Sequence, residues 1–581
     1  MEGKAVKLRR PLHSFAASLV VALLLSVSAL AAQVETGLSV KSQLGVVAAA
    51  HPLAAQAGAE ILAKGGNAVD AAIAVSYALA VVEPYASSLG GEGYMVISLA
   101  DGTDVAIDFR SRAPLHVNVH TPGEIGTHQY GIYTTMVPGL VKGTELALKK
   151  YGTMTLAEVL EPAIRLAEEG FAVHETYASV AGDAYSTLIQ YPYAASIWLD
   201  NGLIPEVGTI IRNPDMARAL RLIAEHGSDV FYKGEIAEAI ERATNGWIDR
   251  ASLAAYQAYE RPVVRGTYRG YEVIGAPPIV SGLRVQETLN ILEHFDLKSY
   301  GSVTAPEVVH IVSEALKLSG ADWNAYSWDP NYYRIPVEAL LSKQYAAERA
   351  KLIDLNRAQA FEAGDPFTYS AEVGWMLYDT NESASTTHFS VLDKDGNAVA
   401  VTQTISSFWG SRIAVEPYGF LMSDHFKQFP KFDPADPFRP DYAAPLKSTK
   451  TNLSPTIIKK DGKVRLIAGS PGGVRIPATT VQFIVSMIDF EMTLEEAVLA
   501  PKFYPDNDLS LDLEGGFPEE TIAALKALGH KVTTRPPLQR VFGALNVVWV
   551  DEDGNMWGHG SVRRQGGAAA PLAIEEPAAV Y

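Results

Sequence analysis

Residues 385–404 read STTHFSVLDKDGNAVAVTQT, and the architecture can be worked out from this segment. Two alternating, β-branched runs, THFSVLD and NAVAVTQT, flank the turn KDG at 394–396, which is typical of a β-hairpin. The hydroxyl-rich start at 385–387 is unusual for a buried strand, because unpaired hydroxyl groups are costly to bury. Threonines are nevertheless ordinary strand residues, so this start alone is compatible with a purely structural role.

Helical patterns surround the hairpin region. Residues 52–84 predict two apolar helices, the first ending at Gly65-Gly66 and the second opened by Asn67 as N-cap. Thr155 begins a capping box ahead of a third helix, and short strand-like runs such as VRLIAGS and NVVWV follow the hairpin. Helices on either side of short strands favour a layered α/β class.

Composition excludes several functions. The 581 residues carry a formal net charge of -18 and no basic cluster after the extreme N-terminus, so nucleic acid is not an expected partner. Cysteine is absent, which excludes disulfides, a thiol nucleophile and zinc-thiolate sites. Length alone suggests about four domains. We expect one large globular unit instead, because no long linker or repeat interrupts the chain.

The N-terminus is typical of an export signal. Basic residues at 4–10 precede an apolar run at 19–25, and an A-x-A site follows at 29–31. We therefore predict a signal peptide at 1–31 and a periplasmic or extracellular protein that meets the membrane only during export. The alternative is an uncleaved anchor helix over 15–32, whose length is close to that of a membrane span.

The chain resembles the gamma-glutamyltransferase family. The family signature TTH-x-S followed by DG-N-x-V-x-V-T-x-T matches TTHFSVLDKDGNAVAVTQT. Further matches occur in the family's order and cover nearly everything after the signal peptide. They are GGNAVDAAIAVSYALAVVEP, SLGGEGYM, DFRSRAP, MVPGLVKG, EPAIRLAEEGF, FYKGEIAEAI, GTYRGYEV, LSPTI and GSPGG. The resemblance implies a four-layer αββα N-terminal-nucleophile sandwich.

The resemblance also implies a self-processing enzyme. The Thr386 hydroxyl would attack the Ser385 carbonyl, dividing the chain into a large subunit (32–385) and a small subunit (386–581) that form one intertwined unit. The freed α-amine, with a reference pKa of roughly 7.7 to 8.0, would then act as the base for its own hydroxyl. No cofactor or metal is needed. His388 belongs to the signature, but we interpret it as structural because the amine already serves as base.

Other site roles follow from matched positions. Gly472 and Gly473, in GSPGG, would donate backbone N–H groups to the reaction's oxyanion; outside the signature, GSPGG would be an ordinary turn. Thr404 would support the nucleophile. Arg110 would hold the α-carboxylate of a γ-glutamyl donor, with a surface ion pair as the structural alternative.

The hairpin register offers a check on Thr404. A two-residue loop at 395–396 pairs Thr404 with Thr387. A three-residue loop at 395–397 places Thr404 opposite His388 and on the face of the nucleophile. The proposed role of Thr404 favours the second register.

Five donor-binding residues depart from the family pattern. Gln428 stands where the family has an aspartate for the donor's α-ammonium, and His425 replaces a glutamine. Thr451-Asn452 replaces a pair of serines, and Ser406 replaces an asparagine. A neutral amide loses the charge-assisted part of a bond to an ammonium, so the glutamyl amine should be held less well.

Three hypotheses therefore stand. The first is a γ-glutamyltransferase or glutathione hydrolase that passes the acyl group of a small-molecule amide to water, an amino acid or a peptide. The second keeps the chemistry but cleaves another acyl amide, such as glutaryl, a β-lactam side chain or poly-γ-glutamate. Related cephalosporin acylases accept acyl groups such as glutaryl, which lack the amine. The third is an exported, non-catalytic binding protein. The segment 430–444 is either a lid over the site or a surface connection.

Overall fold

Residues 34–126, 128–369 and 385–573 are described by a computed structural model, and the signal peptide predicted at 1–31 lies outside them. The strands, in chain order, are β1 (Val34–Gly37), β2 (Ser39–Ser42), β3 (Gly45–Ala49), β4 (Glu92–Ser98), β5 (Asp104–Phe109), β6 (Phe171–Ala172), β7 (Ile210–Ile211), β8 (Tyr259–Pro262), β9 (Val264–Tyr268), β10 (Tyr271–Gly275), β11 (Thr387–Asp393), β12 (Ala398–Thr404), β13 (Ala414–Val415), β14 (Phe420–Leu421), β15 (Thr456–Lys460), β16 (Lys463–Ala468), β17 (Phe503–Pro505), β18 (Ser510–Glu514), β19 (Lys531–Arg535), β20 (Val547–Val550), β21 (Met556–His559) and β22 (Gly567–Pro571).

Helices occupy much of the remaining chain. They are α1 (Pro52–Ala63), α2 (Ala68–Val82), α3 (Thr121–Glu124), α4 (Leu140–Tyr151), α5 (Leu156–Glu169), α6 (Glu175–Leu188), α7 (Pro192–Trp198), α8 (Pro214–His226), α9 (Asp229–Tyr232), α10 (Glu235–Ala243), α11 (Arg250–Ala255), α12 (Gly282–Leu292), α13 (Pro306–Tyr326), α14 (Val337–Leu340), α15 (Lys343–Ala350), α16 (Ile476–Ile488), α17 (Leu494–Leu499) and α18 (Glu519–Ala527). The helices predicted from the capping signals are confirmed. Asn67 caps α2 in a capping box with Asp70, and Thr155 caps α5 in the same way with Glu158.

Two large sheets form the centre of the molecule. The first has eight strands in the order β1-β22-β3-β11-β12-β4-β5-β8. The second has seven, in the order β2-β21-β20-β16-β15-β10-β9. Both sheets mix strands from before and after residue 385, so neither side of the predicted cleavage point forms a sheet by itself.

Side-chain alternation along the strands produces the layers. Phe389 and Val391 of β11 face a core that includes α1 and α2, whereas Leu392 faces Ile457 and Val548 of the other sheet. The opposite face of the second sheet packs against α12, α13 and α16. The order helix, sheet, sheet, helix confirms the expected four-layer αββα sandwich.

The hairpin has neither of the two registers considered from the sequence. Thr387 pairs with Gln403 and His388 with Thr402, which brings Thr404 level with Thr386 one step further along. The turn spans three residues, 394–396, because the Asp393 N–H donates to the Asn397 carbonyl at 3.0 Å. The correction has a physical cause: the Asp393 carboxylate accepts hydrogen bonds from backbone N–H groups of 395 and 397 and so closes the turn one residue earlier.

Among the residues that the structure describes, no helix has both the length and the apolarity that crossing a membrane requires.

Candidate active site

The Ser385–Thr386 peptide lies at the start of β11 and is almost fully buried. Thr386 is 3% exposed, and its Oγ1 donates a hydrogen bond to the Ser385 carbonyl oxygen at 2.6 Å. The Thr404 Oγ1 donates to the same oxygen. Two hydroxyl groups therefore converge on one carbonyl, where they withdraw electron density from the carbon that a nucleophile would attack.

Thr404 is held in this orientation by the chain that follows it. The Ser406 N–H donates to Thr404 Oγ1 at 2.8 Å, so the hydroxyl hydrogen is left to point at Ser385. Ser406 itself has a φ of 77°, in the left-handed region that a non-glycine residue seldom adopts. The strained turn after β12 thus orients the Thr404 hydroxyl, and Ser406 supports it through its backbone.

The segment after α2 supports the residues around the peptide. The Thr387 Oγ1 donates to the Glu83 carboxylate at 2.7 Å, and the Tyr85 hydroxyl donates to the same carboxylate at 2.9 Å. The Ser385 Oγ donates to the Tyr85 carbonyl at 3.2 Å. Burial raises the pKa of Glu83, while these hydrogen bonds and the positive charge of Arg564 oppose the rise.

Arg564, from the turn before β22, contacts Thr386. Its Nη1 donates to the Thr386 carbonyl oxygen at 2.8 Å, and the residue is 2% exposed. Burial lowers the pKa of Arg564 to about 10, with Glu83 opposing this effect, so the guanidinium stays charged at neutral pH.

His388 is a packing residue, in agreement with the interpretation from the sequence. Its ring nitrogens lie 2.8 Å from Thr402 Oγ1 and 3.2 Å from Ser390 Oγ. Burial lowers the pKa of His388 to about 3, so the ring is neutral at pH 7. A Cβ on Gly469 would lie 2.3 Å from this ring, which shows how closely the loop at 469–473 packs against β11.

Gly472 and Gly473 belong to that loop. Their φ values are 142° and 58°, both in the range that favours glycine. The loop leaves β16 beside His388, two residues from Thr386, and so reaches the same end of the sandwich as Thr386. Their donation to an oxyanion stays a prediction.

Arg110 and His425 meet on Glu92, a buried carboxylate at the start of β4. Arg110 forms an ion pair with Glu92, and the His425 Nε2 lies 2.9 Å from the same carboxylate. Arg110 also donates to the Thr449 carbonyl at 2.9 Å. The Arg110 guanidinium therefore stabilises the segment that begins at Thr449. Its contact with a donor carboxylate remains a prediction.

A small cavity of about 30 Å³ is lined in part by two of the other predicted donor-binding residues, Gln428 and Asn452. Its lining residues come from distant parts of the chain. They are Ile279, Trp323, Trp328, Asp329, Gln428, Pro440, Asp441, Lys447, Ser448, Thr449, Lys450 and Asn452. The cavity therefore brings together Gln428 and Asn452, and Ser406 reaches it through its Oγ, 3.5 Å from the Gln428 Nε2. Thr451 is buried beside it, its N–H donating to the Ile279 carbonyl at 3.4 Å.

Two lysines and two aspartates line the cavity. Asp329 is paired with Arg112 at 3.3 Å, and Asp441 is paired with Arg439 at 2.7 Å. Lys447 donates to the carbonyl groups of 440 and 442, and burial lowers its pKa to about 8. The Lys450 ammonium lies 4.0 Å from the centre of the Trp328 ring.

The segment 430–444 contributes Pro440 and Asp441 to the cavity wall, while Phe438 at its outer side is 90% exposed. Of the two alternatives considered from the sequence, this position favours a cover over the site. Whether it moves as a lid stays a prediction.

One group within the described part of the chain has the spacing of a metal site. His310, Glu314 and His530 offer ligand atoms within 4.8 Å of one another. The Lys317 ammonium, however, lies 2.5 Å from Glu314, and the two imidazole rings are hydrogen-bonded to each other at 2.8 Å. A bound cation would compete with that ammonium, so we interpret the group as a packing contact of α13.

Several site residues escaped the sequence analysis. Glu83 and Tyr85 lie in or beside the quoted family segment that ends VVEP, but no pattern ties them to residues about 300 positions away. Arg564 and the two cavity lysines, Lys447 and Lys450, fall outside the quoted motifs. Only contacts formed by the folded chain identify them.

Comparisons with known proteins agree with this geometry. The gamma-glutamyltranspeptidase family model matches residues 54–571. The glutathione hydrolase proenzyme of Escherichia coli (strain K12) is 37% identical over 571 residues, which cover 93% of each chain. The acylase ACY 1 proenzyme of Pseudomonas sp. (strain SE83) is 38% identical over 546 residues, 91% of this chain and 93% of the relative. The crystal structure of cephalosporin acylase from Bacillus halodurans superposes with a TM-score of 0.82 at 29% identity, covering 93% of this chain and 97% of that one.

Proposed function

The chain belongs to the gamma-glutamyltranspeptidase family and is an enzyme, and we propose that it cuts itself between Ser385 and Thr386 and then cleaves γ-glutamyl amides such as glutathione. The products of the first cut are the chains 32–385 and 386–581, held together in one sandwich. The signal at 1–31 directs the precursor out of the cytoplasm.

One observation carries the proposal: the hydroxyl groups of Thr386 and Thr404 both donate to the Ser385 carbonyl oxygen. Attack of Thr386 Oγ1 on that carbonyl carbon forms a C–O bond, and the C–N bond to Thr386 breaks as the hydroxyl proton passes to the nitrogen. Water then hydrolyses the ester at Ser385. The negative charge that develops on the carbonyl oxygen is stabilised by the Thr404 hydroxyl.

Turnover repeats the same chemistry on a donor. The free α-amine of Thr386 takes the proton of its own hydroxyl as Oγ1 attacks the amide carbon, and the amine of the donor leaves with that proton. Gly472 and Gly473 supply N–H groups to the oxyanion, each worth about 3 to 4 kcal/mol of transition-state stabilisation. Water or an amino acid then accepts the acyl group.

The donor's acyl group lies in the cavity beside Gln428 and Asn452. The buried Gln428 Oε1 has no hydrogen-bond partner among the described residues, so it is an acceptor for the α-ammonium of a γ-glutamyl donor. Arg110 forms an ion pair with the donor's α-carboxylate. Its guanidinium is then shared between that carboxylate and Glu92.

A second candidate is the same chemistry on an acyl amide that lacks the α-amine, such as a glutaryl amide. Neutral Gln428 in place of a carboxylate favours it, and so do Lys447 and Lys450 in a cavity whose carboxylates are already paired with arginines. The similarity to acylase proenzymes is as strong as that to glutathione hydrolase proenzymes.

Paired donors separate the two candidates. We expect wild-type enzyme to release the amine from both a γ-glutamyl and a glutaryl anilide, and Gln428→Asp to favour the γ-glutamyl donor by about tenfold in kcat/KM, because the added charge strengthens the bond to its ammonium. Gln428→Asn serves as the matched neutral control. Release from glutaryl alone, unchanged by Gln428→Asp, would favour the acylase; release from neither donor would refute both candidates.

A further inference from the structure

Arg564 occupies an unusual position for a charged side chain. It is buried, and its guanidinium donates to the carbonyl oxygen of Thr386 itself, at 2.8 Å. A neutral hydrogen-bond donor would satisfy that carbonyl equally well. Burying a cation costs free energy, so its presence here calls for an explanation. The carbonyl oxygen is only two covalent bonds from the Thr386 Cα. This Cα carries the nitrogen that the cut sets free.

The distance to that nitrogen is bounded by covalent geometry. The nitrogen and the carbonyl oxygen of one residue are at most roughly 3.6 Å apart, given standard bond lengths. The Arg564 Nη1 therefore lies no more than about 6.4 Å from the Thr386 nitrogen, in the range where a like charge disfavours an ammonium.

The amine needs such a neighbour. With an ordinary pKa of roughly 7.7 to 8.0, only about one amine in six to one in eleven is neutral at pH 7. Only the neutral form can take the hydroxyl proton, so most of a population with an unperturbed amine would be idle.

We infer that Arg564 is a positioning and charge-tuning residue for turnover: its guanidinium fixes the Thr386 backbone and, as a nearby cation, keeps the α-amine in the neutral form that acts as base. This inference rests on the proposed function, because it requires a mature enzyme with Thr386 at a chain terminus. In the precursor the same nitrogen is an amide and carries no charge to tune.

Within the described part of the chain, the other titratable groups around the site leave Arg564 as the main cation. Burial lowers the pKa of His388 to about 3 and that of His174 to about 4, so both rings are neutral at pH 7, and burial raises the pKa of Tyr85 well above its usual range. Arg540 shares the Phe408 ring with Arg564 but is paired with Asp183. Among the residues that the structure describes, Glu83 is the carboxylate whose charge acts on Arg564.

The test is the pH dependence of kcat/KM for amide hydrolysis by mature enzyme, whose acid limb reports the free amine. Arg564→Gln keeps a hydrogen-bond donor but removes the charge, so the limb should move up by about one pH unit. The amine is neutral on the alkaline plateau in either protein, so a loss of activity there measures weaker positioning of the Thr386 backbone and not the missing charge. Arg564→Lys should leave the limb where the wild type has it.

Glu83→Gln is the second variant, and it removes the opposing charge. Its acid limb should move down, because loss of a nearby negative charge disfavours the protonated amine. Arg221→Gln, an exposed arginine paired with Glu168, is the control for loss of one positive charge.

A lowered plateau with an unmoved acid limb in Arg564→Gln would overturn the inference and leave a structural role. If that variant does not mature, the Glu83→Gln limb decides: a downward shift supports the inference, and no shift, or a wild-type limb at or above roughly 7.7, contradicts it. A wild-type chain that never frees Thr386 would instead refute the proposed function.

Discussion

At the residue scale, the Thr404 hydroxyl is the most direct test of the geometry at the cleavage point. Thr404→Val keeps the shape of the side chain and removes the donor to the Ser385 carbonyl. Loss of one such donor should slow self-cleavage by about 10²- to 10³-fold. Band intensities on denaturing gels, followed over time after purification, measure the rate.

Thr402→Val is the matched control. Thr402 lies on the same strand and face, but its hydroxyl contacts His388 and not Ser385. We expect cleavage within a few-fold of the wild type. Equal slowing of both variants would mean that β12 is merely disturbed, and the assigned role of Thr404 would be wrong.

The sequence predicted the two threonines at the cleavage point but not the residues that surround them. Thr386 and Thr404 stand at fixed places in one continuous signature, so a pattern could locate them. Glu83 and Arg564 reach the same peptide from about 300 residues before it and about 180 residues after it, and single charged residues carry no periodicity. Arg110 was named from a matched position, and its donor contact stays a prediction; its pairing with Glu92 depends on two neighbouring strands and could not be foreseen.

At the element scale, the close packing of the 469–473 loop on β11 makes a prediction about Gly469. A Cβ there would lie 2.3 Å from the His388 ring, so Gly469→Ala must push the ring or the loop away. We expect a stability loss of about 1 to 3 kcal/mol from overpacking, together with slower self-cleavage. Thermal unfolding of the purified precursor and the gel assay measure the two effects.

Gly123→Ala is the control for this substitution. A Cβ at Gly123 meets nothing within 4 Å, so the added methyl should cost little. A Gly469→Ala protein as stable and as quickly cut as the Gly123→Ala protein would contradict the packing account.

The hairpin shows where element-level prediction ended. Alternation and β-branching predicted both strands: THFSVLD is β11, and β12 (AVAVTQT) begins one residue later than the predicted run NAVAVTQT. The register was wrong because the loop length depends on the Asp393 carboxylate, which also accepts the N–H of Ala68 at the start of α2. Because the Asp393 carboxylate is also hydrogen-bonded to a distant helix, its effect on the loop length cannot be predicted from the turn sequence alone.

At the scale of the whole molecule, the sheets predict how the two chains behave after the cut. In the first sheet, β11 pairs with β3 and β12 pairs with β4, and β22 lies between β1 and β3. In the second, β15 pairs with β10 and β21 with β2. Separation would expose several strand edges at once, at a high cost in unsatisfied backbone groups.

The cut protein should therefore elute as one particle in native size-exclusion chromatography and as two chains only in denaturant. The uncut Thr386→Ala protein, run alongside, gives the reference elution volume. Two separate native peaks would contradict the intertwined arrangement.

The central claim is that Thr386 cuts the chain at its own amide and becomes the nucleophile. Intact-mass spectrometry of purified wild-type protein in denaturant, beside Thr386→Ala, tests it most directly. The account predicts two wild-type masses that meet at Ser385 and Thr386, and a single uncut mass for the variant. A wild-type chain that stays whole after long incubation, or a Thr386→Ala chain that is cut at the same place, would contradict it.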